Sequence, residues 1–225
     1  MASRHKFVWL AAQVISSTLL LHHAAPAQQA APAAVEWVGD FTGTALDESK
    51  WERFTFQGGS GGTFRVENGE LQMRGVPESR SGVRSKQKFS GDRFIAEATV
   101  AKVGPAQPEP NRPGLPPGYA DLAVLFDDSG RNRLEWILTS DGVFEAWSVQ
   151  NGQASRLDNH RLGTKMPKPT LGIVRRGDQV MFMLNGEVGM QQTIKNLPHD
   201  FWLMLYGFGT SENNWTSARV VTLKQ

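Results

Sequence analysis

Residues 131–149 read RNRLEWILTSDGVFEAWSV. Residues Asn132–Thr139 and Val143–Val149 are two short, largely apolar runs with Ser140-Asp141-Gly142 between them. Short apolar runs bounded by turn residues read as strands, and a short polar loop that contains glycine joins two such strands into a hairpin. Just upstream, Asp127-Asp128-Ser129-Gly130-Arg131 has the same form as Thr139-Ser140-Asp141-Gly142-Val143. Each suits a three-residue loop, a type I turn closed by a glycine in the left-handed region.

That loop length sets a register. Counting outward, Leu125 faces Arg133, Glu135 faces Trp147, and Ile137 faces Glu145. Side chains alternate across a sheet, so the three strands sort into two faces. One face carries Leu122, Val124, Phe126, Asn132, Leu134, Trp136, Leu138, Phe144, Ala146 and Ser148, a set apolar enough to be packed. The other carries Arg133, Glu135, Glu145 and Trp147 among a mixture that suits a half-wet surface or groove. A two-residue Asp141-Gly142 loop would shift the pairing by one, set Trp136 beside Trp147 and separate the glutamates. The three-residue reading segregates polarity better, and both turns satisfy it.

Beyond this meander the chain is a series of short alternating or apolar runs punctuated by Gly, Asn and Asp, which predicts an all-β domain. Strands are expected at Thr63–Val66, Glu70–Arg74, Arg93–Val103, Asp121–Phe126, Leu171–Arg175, Gln179–Leu184, Val188–Ile194, Phe201–Phe208 and Ser217–Lys224. Asn68-Gly69 and Asn185-Gly186 lie between apolar runs, where tight hairpins need both turn residues at positive φ. One helical turn is expected at Leu46–Trp51, started by Asp47. Gln57–Gly62 reads as a flexible loop, and Pro105–Tyr119, with six prolines, must leave the sheet.

Arg4, His5 and Lys6 precede an apolar run from Phe7 to Leu21 that ends in small residues at Ala25-Pro26-Ala27. Residues 1–27 therefore read as a cleaved signal peptide, 28–34 as a disordered linker and 35–225 as a single domain, exported to a periplasm or the extracellular space. The run is too short and interrupted for a comfortable membrane span. Removing 27 of the 225 residues leaves 198, with basic and acidic side chains balanced, so charge makes no case for nucleic acid or anionic lipid. No cysteine is present, which excludes disulfides and a cysteine-linked lipid. Only His160 and His199 remain after the leader, too little for a zinc site or a histidine-based triad.

Several stretches in this order resemble the concanavalin A-like lectin and glucanase superfamily. They are FTGTALDESKW (Phe41–Trp51), FRVENGELQM (Phe64–Met73), the meander, LGIVRRGDQVMFMLNGEV (Leu171–Val188) and SARVVTL (Ser217–Leu223). The arrangement is also similar to laminin-G-like domains and the 3-keto-disaccharide hydrolase group. The resemblance implies a two-sheet antiparallel jelly-roll sandwich. Retaining glucanases of that superfamily carry a Glu-x-Asp-x-Glu strand, because nucleophile and acid/base must stand roughly 5 Å apart across one glycosidic bond. No such strand occurs here.

The nearest acid pair, Glu135 and Glu145, lies diagonally on neighbouring strands with β-carbons ~7 Å apart. It is a candidate catalytic pair, set against a salt-bridged sheet surface with Arg133. Sugar binding needs less: an exposed aromatic face with polar groups at its rim. Trp147 with Arg133, Glu135 and Glu145 supplies that kit, and Trp215 with Asn214, in a loop Ser211–Trp215, offers a second aromatic; either tryptophan also fits as a cap on the core edge. Noncatalytic carbohydrate binding is the leading reading. The alternatives are a hydrolase on a sugar derivative using the same face, and a structural or protein-interaction domain whose protein partner is unknown.

No cofactor is expected. Asp127, Asp128 and Asn132 offer oxygens to calcium, but their spacing fits no calcium loop and a solvated hairpin turn explains them. Arg176-Gly177-Asp178 is explained as a turn. Asn214-Trp215-Thr216 meets the glycosylation pattern, which matters only in a eukaryotic secretory route.

Overall fold

A computed structural model describes residues 34–56, 61–106, 117–161 and 166–223. The expected leader, most of the proline-rich segment, part of the Gln57–Gly62 loop and the end of the last strand lie outside the described residues. Residues 32–225 form one compact unit. Its strands in chain order are β1 (Ala34–Asp40), β2 (Trp51–Phe56), β3 (Thr63–Glu67), β4 (Glu70–Arg74), β5 (Arg80–Ser85), β6 (Phe89–Ser90), β7 (Arg93–Gly104) and β8 (Tyr119–Leu125). They continue with β9 (Arg133–Thr139), β10 (Val143–Gln150), β11 (Gln153–Arg161), β12 (Thr170–Arg176), β13 (Gln179–Leu184), β14 (Glu187–Thr193), β15 (Asp200–Phe208) and β16 (Glu212–Leu223).

These strands make two antiparallel sheets of eight, so the chain is the all-β sandwich its patterning predicts. The first sheet runs β14-β13-β12-β7-β16-β4-β3, with β1 also on β16; the second runs β11-β10-β9-β8-β15-β5-β2, with β6 also on β15. The core lies between them. Leu71, Phe94, Leu171, Ile173 and Phe182 of the first sheet meet Leu122, Leu134, Phe144, Phe201 and Leu203 of the second. Burying such side chains stabilises by roughly 1.5–3 kcal/mol each, which serves a chain that has no disulfide to lean on.

Turn chemistry fixes the hairpins. Asn68-Gly69 and Asn185-Gly186 have all four residues at positive φ, between 52° and 84°, as two-residue hairpins require. Gly130 (φ 67°) and Gly142 (φ 83°) close the two meander turns, and their amides donate to Asp127 O and Thr139 O at 3.1 and 3.0 Å. The three-residue loops therefore hold: Leu125 pairs with Arg133, and Glu135 pairs with Trp147 and Ile137 with Glu145. Leu122, Val124, Leu134, Trp136, Phe144 and Ala146 all enter the core.

The expected helical turn at Leu46–Trp51 is a single turn started by Asp47: Trp51 N donates to Asp47 O at 2.9 Å and Ser49 N to Asp47 Oδ1 at 3.0 Å, and Trp51 then opens β2. Other elements differ from the sequence reading. Strand β1 begins at Ala34, inside the expected linker. Strand β5, RSGVRS, lacks apolar alternation because Ser81, Gly82 and Ser85 fill its buried positions. Strand β11 is an exposed edge with almost no buried face. Its signal is a third Asn-Gly pair, Asn151-Gly152, with φ 52° and 83°.

Candidate functional site

Strands β8, β9, β10, β15 and β5 turn one face of the second sheet away from the core. The register sets Asp121 between Tyr206 on β15 and Ile137 on β9, and Glu135 between Ala123 and Trp147. All four meander residues singled out from the sequence, Arg133, Glu135, Glu145 and Trp147, lie on this face. It is drier than a half-wet surface: Asp121, Arg133, Glu135 and Thr139 are buried. A second small apolar cluster of Phe56, Ala123, Leu125, Met204 and Tyr206, with Phe54 and Trp202 against it, covers that end of the sheet.

Glu135 forms the centre of a closed polar group. Arg133 Nε reaches Glu135 Oε1 at 2.5 Å, the hydroxyl of Tyr206 donates to the same oxygen, and Arg133 Nη1 donates to Gly130 O at 2.6 Å. The Arg133 guanidinium lies 4.8 Å over the Phe56 ring, which packs edge-on against Tyr206 at 5.3 Å. Burial, with Asp121 and Glu135 alongside, pushes the Tyr206 phenol well above its usual value, so the ring is a hydrogen-bond donor. Gly82, opposite Tyr206, admits that ring: a Cβ there would meet Leu205 O at 2.0 Å and Tyr206 Cβ at 2.5 Å.

Glu145 is arranged differently. The indole N–H of Trp147 donates to Glu145 Oε2 at 3.0 Å, and Arg156 of β11 approaches Oε1 at 3.7 Å while its guanidinium stands 5.9 Å from the Trp147 ring. Glu145 and Trp147 are half-buried and reach solvent.

Beside these groups lies a cleft of about 230 Å³, lined by Arg80, Tyr119, Asp121, Glu145, Trp147 and Phe208, with Glu135 and Tyr206 in its floor. Asp121 is 2 % exposed and, among the described residues, its Oδ1 has no hydrogen-bond partner. Burial, with Glu135 next to it, pushes its carboxyl well above the usual carboxylate range, against the pull of Arg80 and Arg133. The sequence reading put Asp121 on the correct face but not in the site. Its signal was a lone acid inside the apolar run YADLAVLF. Arg80 and Tyr206 had no such signal, since they come from β5 and β15, far from the meander in the chain.

The second proposed aromatic is corrected. Ser211–Trp215 is not an exposed loop, because Glu212–Trp215 are the start of β16, paired with β4 and β7 in the first sheet. Trp215 is fully buried in the core with its Nε1 donating to Asn213 Oδ1 at 2.7 Å, and buried Asn214 donates to Glu70 Oε2 at 3.0 Å. The asparagine of the glycosylation pattern is thus inside a central strand. Asp127 has all its acceptor capacity turned inward: Oδ1 accepts from Ser129 Oγ and Arg131 N, and Oδ2 from Asn132 N and Nδ2. Partial burial raises its carboxyl, but the Ser129 and Asn132 donors outweigh that and hold it below the usual range. Among the described residues no group of three His, Asp or Glu is placed to hold a metal ion.

Comparison of the sequence with protein-family models returns no match, and comparison with curated proteins returns none either. Solved structures do match. The endo-β-1,3-glucanase of Pyrococcus furiosus has a TM-score of 0.65 at 12 % identity, over 84 % of this chain and 94 % of that one. The β-glucanase of Bacillus licheniformis has 0.62 at 10 %, over 84 % and 98 %. Carbohydrate binding module CBM66 of Bacillus subtilis has 0.50 at 16 %, over 79 % and 94 %. At such identities a likeness speaks for the fold, and together with the two eight-stranded sheets it gives the conclusion: this chain has the concanavalin A-like lectin and glucanase fold.

Proposed function

We propose that this protein binds carbohydrate, without cleaving it, in the cleft on the outer face of the second sheet. The observation that carries this reading is the pairing, around one small cleft, of the half-buried Trp147 ring with Tyr119, Phe208 and the polar rim of Arg80, Asp121 and Glu145. An aromatic face covers the apolar side of a pyranose while polar groups at the rim orient its hydroxyls. A volume of about 230 Å³ is below the roughly 300–1,000 Å³ of drug-sized pockets, and so suits one sugar ring. Several structural neighbours are named as glucanases and one as a carbohydrate binding module, which supports the same substrate class. A leader-directed export would bring the protein to such glycans.

Noncatalytic binding is favoured because the expected acid pair is divided. Glu135 is buried in the cleft floor with Oε1 held by Arg133 and Tyr206, whereas Glu145 is half-buried at the rim and reaches solvent. The test is a glycan array probed with the purified protein and with Trp147→Ala. Binding that falls at least about tenfold in the variant, equivalent to 1.4 kcal/mol, with the fold intact, supports the reading; silence of the protein on every glycan overturns it.

One observation favours hydrolysis as a second reading. Asp121 offers a buried carboxyl that prefers its protonated form beside the accessible Glu145, and glycoside hydrolysis uses a protonated acid with a second carboxylate. Release of reducing ends that Asp121→Asn and Glu145→Gln each abolish would replace the first reading with this one.

A further inference from the structure

We propose that the saccharide held by this cleft is an acidic one, whose carboxylate pairs with Arg80 while a neighbouring hydroxyl satisfies Asp121. The inference rests on the carbohydrate reading and adds the ligand's charge.

It follows from counting the charges around the cleft. Arg133 and Glu135 cancel at 2.5 Å, and Arg156 approaches Glu145 at 3.7 Å. Asp121 stands between Tyr206 and Ile137 on the adjacent strands, with Glu135 the nearest acid and its own Oδ1 unpartnered. Its environment disfavours the charged form. Arg80 is what remains. Its guanidinium lies 5.4 Å over the Phe208 ring, and among the described residues it makes no ion pair. Among the described residues the cleft therefore carries a guanidinium outside any ion pair at the β5 end and the Arg156-paired Glu145 at the β10 end.

A half-buried guanidinium braced on an aromatic face is a forked donor suited to a carboxylate, and bonds of that kind are about twice as strong as neutral ones. The polarity also orients the ligand. A sugar carboxylate settles at Arg80, away from Glu145, and its ring spans towards Trp147. The orphan Oδ1 of Asp121, midway along the cleft floor, then receives a ring hydroxyl, which removes the cost of leaving a buried oxygen unpaired. A neutral sugar leaves Arg80 desolvated with no counter-charge.

The experiment compares a digalacturonate with its carboxyl-reduced, neutral counterpart by titration calorimetry at low salt, on wild type, Arg80→Gln and Arg80→Lys, with each variant's fold checked by circular dichroism. A panel of neutral glycans is run beside them. We expect the acidic disaccharide to bind wild type at least tenfold more tightly than the reduced one. The preference should disappear in Arg80→Gln, survive in part in Arg80→Lys, which keeps the charge but loses the fork, and shrink as salt is raised. Equal binding of the two forms, or binding of neutral glycans alone, overturns the charge inference and leaves carbohydrate binding standing. Binding of none of them overturns both.

Discussion

The hydroxyl of Tyr206 donates to the same Glu135 oxygen that Arg133 reaches, across three neighbouring strands of the second sheet. Two donors on one oxygen make Glu135 a structural anchor of the cleft floor. Glu135→Gln leaves the Arg133 charge buried and uncompensated, and breaking a buried pair costs about 3–5 kcal/mol. Urea unfolding should show a loss of that size. Glu145→Gln removes a carboxylate whose cationic partner is half exposed to water, and should cost under about 1 kcal/mol. Equal stability of the two variants would mean that Glu135 anchors the floor no more than Glu145 anchors the rim.

Asp121 gives a pH prediction of definite sign. Its carboxyl is raised above the usual 3.8, first by burial and then by Glu135. As pH rises past the unfolded value, the unfolded chain releases this proton while the folded chain retains it, so stability falls as pH climbs towards the folded value. Asn cannot ionise. The melting temperature of Asp121→Asn, followed from pH 4 to pH 8, should decline less than that of wild type, and the variant should be at least as stable at pH 7. A wild-type curve with no steeper decline would mean that Asp121 is charged in the fold.

The meander was legible in the sequence because its information is local. Two glycine-closed turns fix a register, and the register alone decides that Trp136 goes inward and that Trp147 shares a face with both glutamates. The rest of the cleft is not local. Arg80 lies on a strand whose buried positions are Ser, Gly and Val, which carries no hydrophobic period, and Tyr206 sits in FWLMLYGF, buried on both faces. Which face such a run presents cannot be read from alternation. Trp215 shows the opposite failure: SENNW has the polarity of a loop, yet Asn213 and Asn214 are buried in β16, where Asn213 Oδ1 accepts from Trp215 Nε1 and Asn214 Nδ2 donates to Glu70.

Trp215 accordingly belongs to stability. The side chain is fully buried in the core between the two sheets, and removing a buried tryptophan to Ala costs about 3–5 kcal/mol. Trp215→Phe keeps most of the volume and should lose less. Glycan affinity of the folded fraction should be unchanged in both. A selective loss of affinity in Trp215→Phe, with normal unfolding, would return this residue to the binding site.

Gly130 and Gly142 close turns of the same form but in different surroundings, which allows local strain to be separated from packing. Both have positive φ, 67° and 83°, so an Ala at either position carries about 1–2 kcal/mol of left-handed strain. A Cβ on Gly142 meets nothing within 4 Å, whereas one on Gly130 falls 2.0 Å from Phe56 Cε1. Phe56 lies under the Arg133 guanidinium, and Gly130 O accepts from that same arginine. Displacing the ring therefore disturbs the ion pair that holds Glu135 in the cleft floor. Gly142→Ala should lose about 1 kcal/mol in urea unfolding, and Gly130→Ala more than about 2 kcal/mol, with weakened glycan binding in the second variant alone. Equal losses in the two variants would show that Phe56 yields without consequence and that the floor is not held from this side.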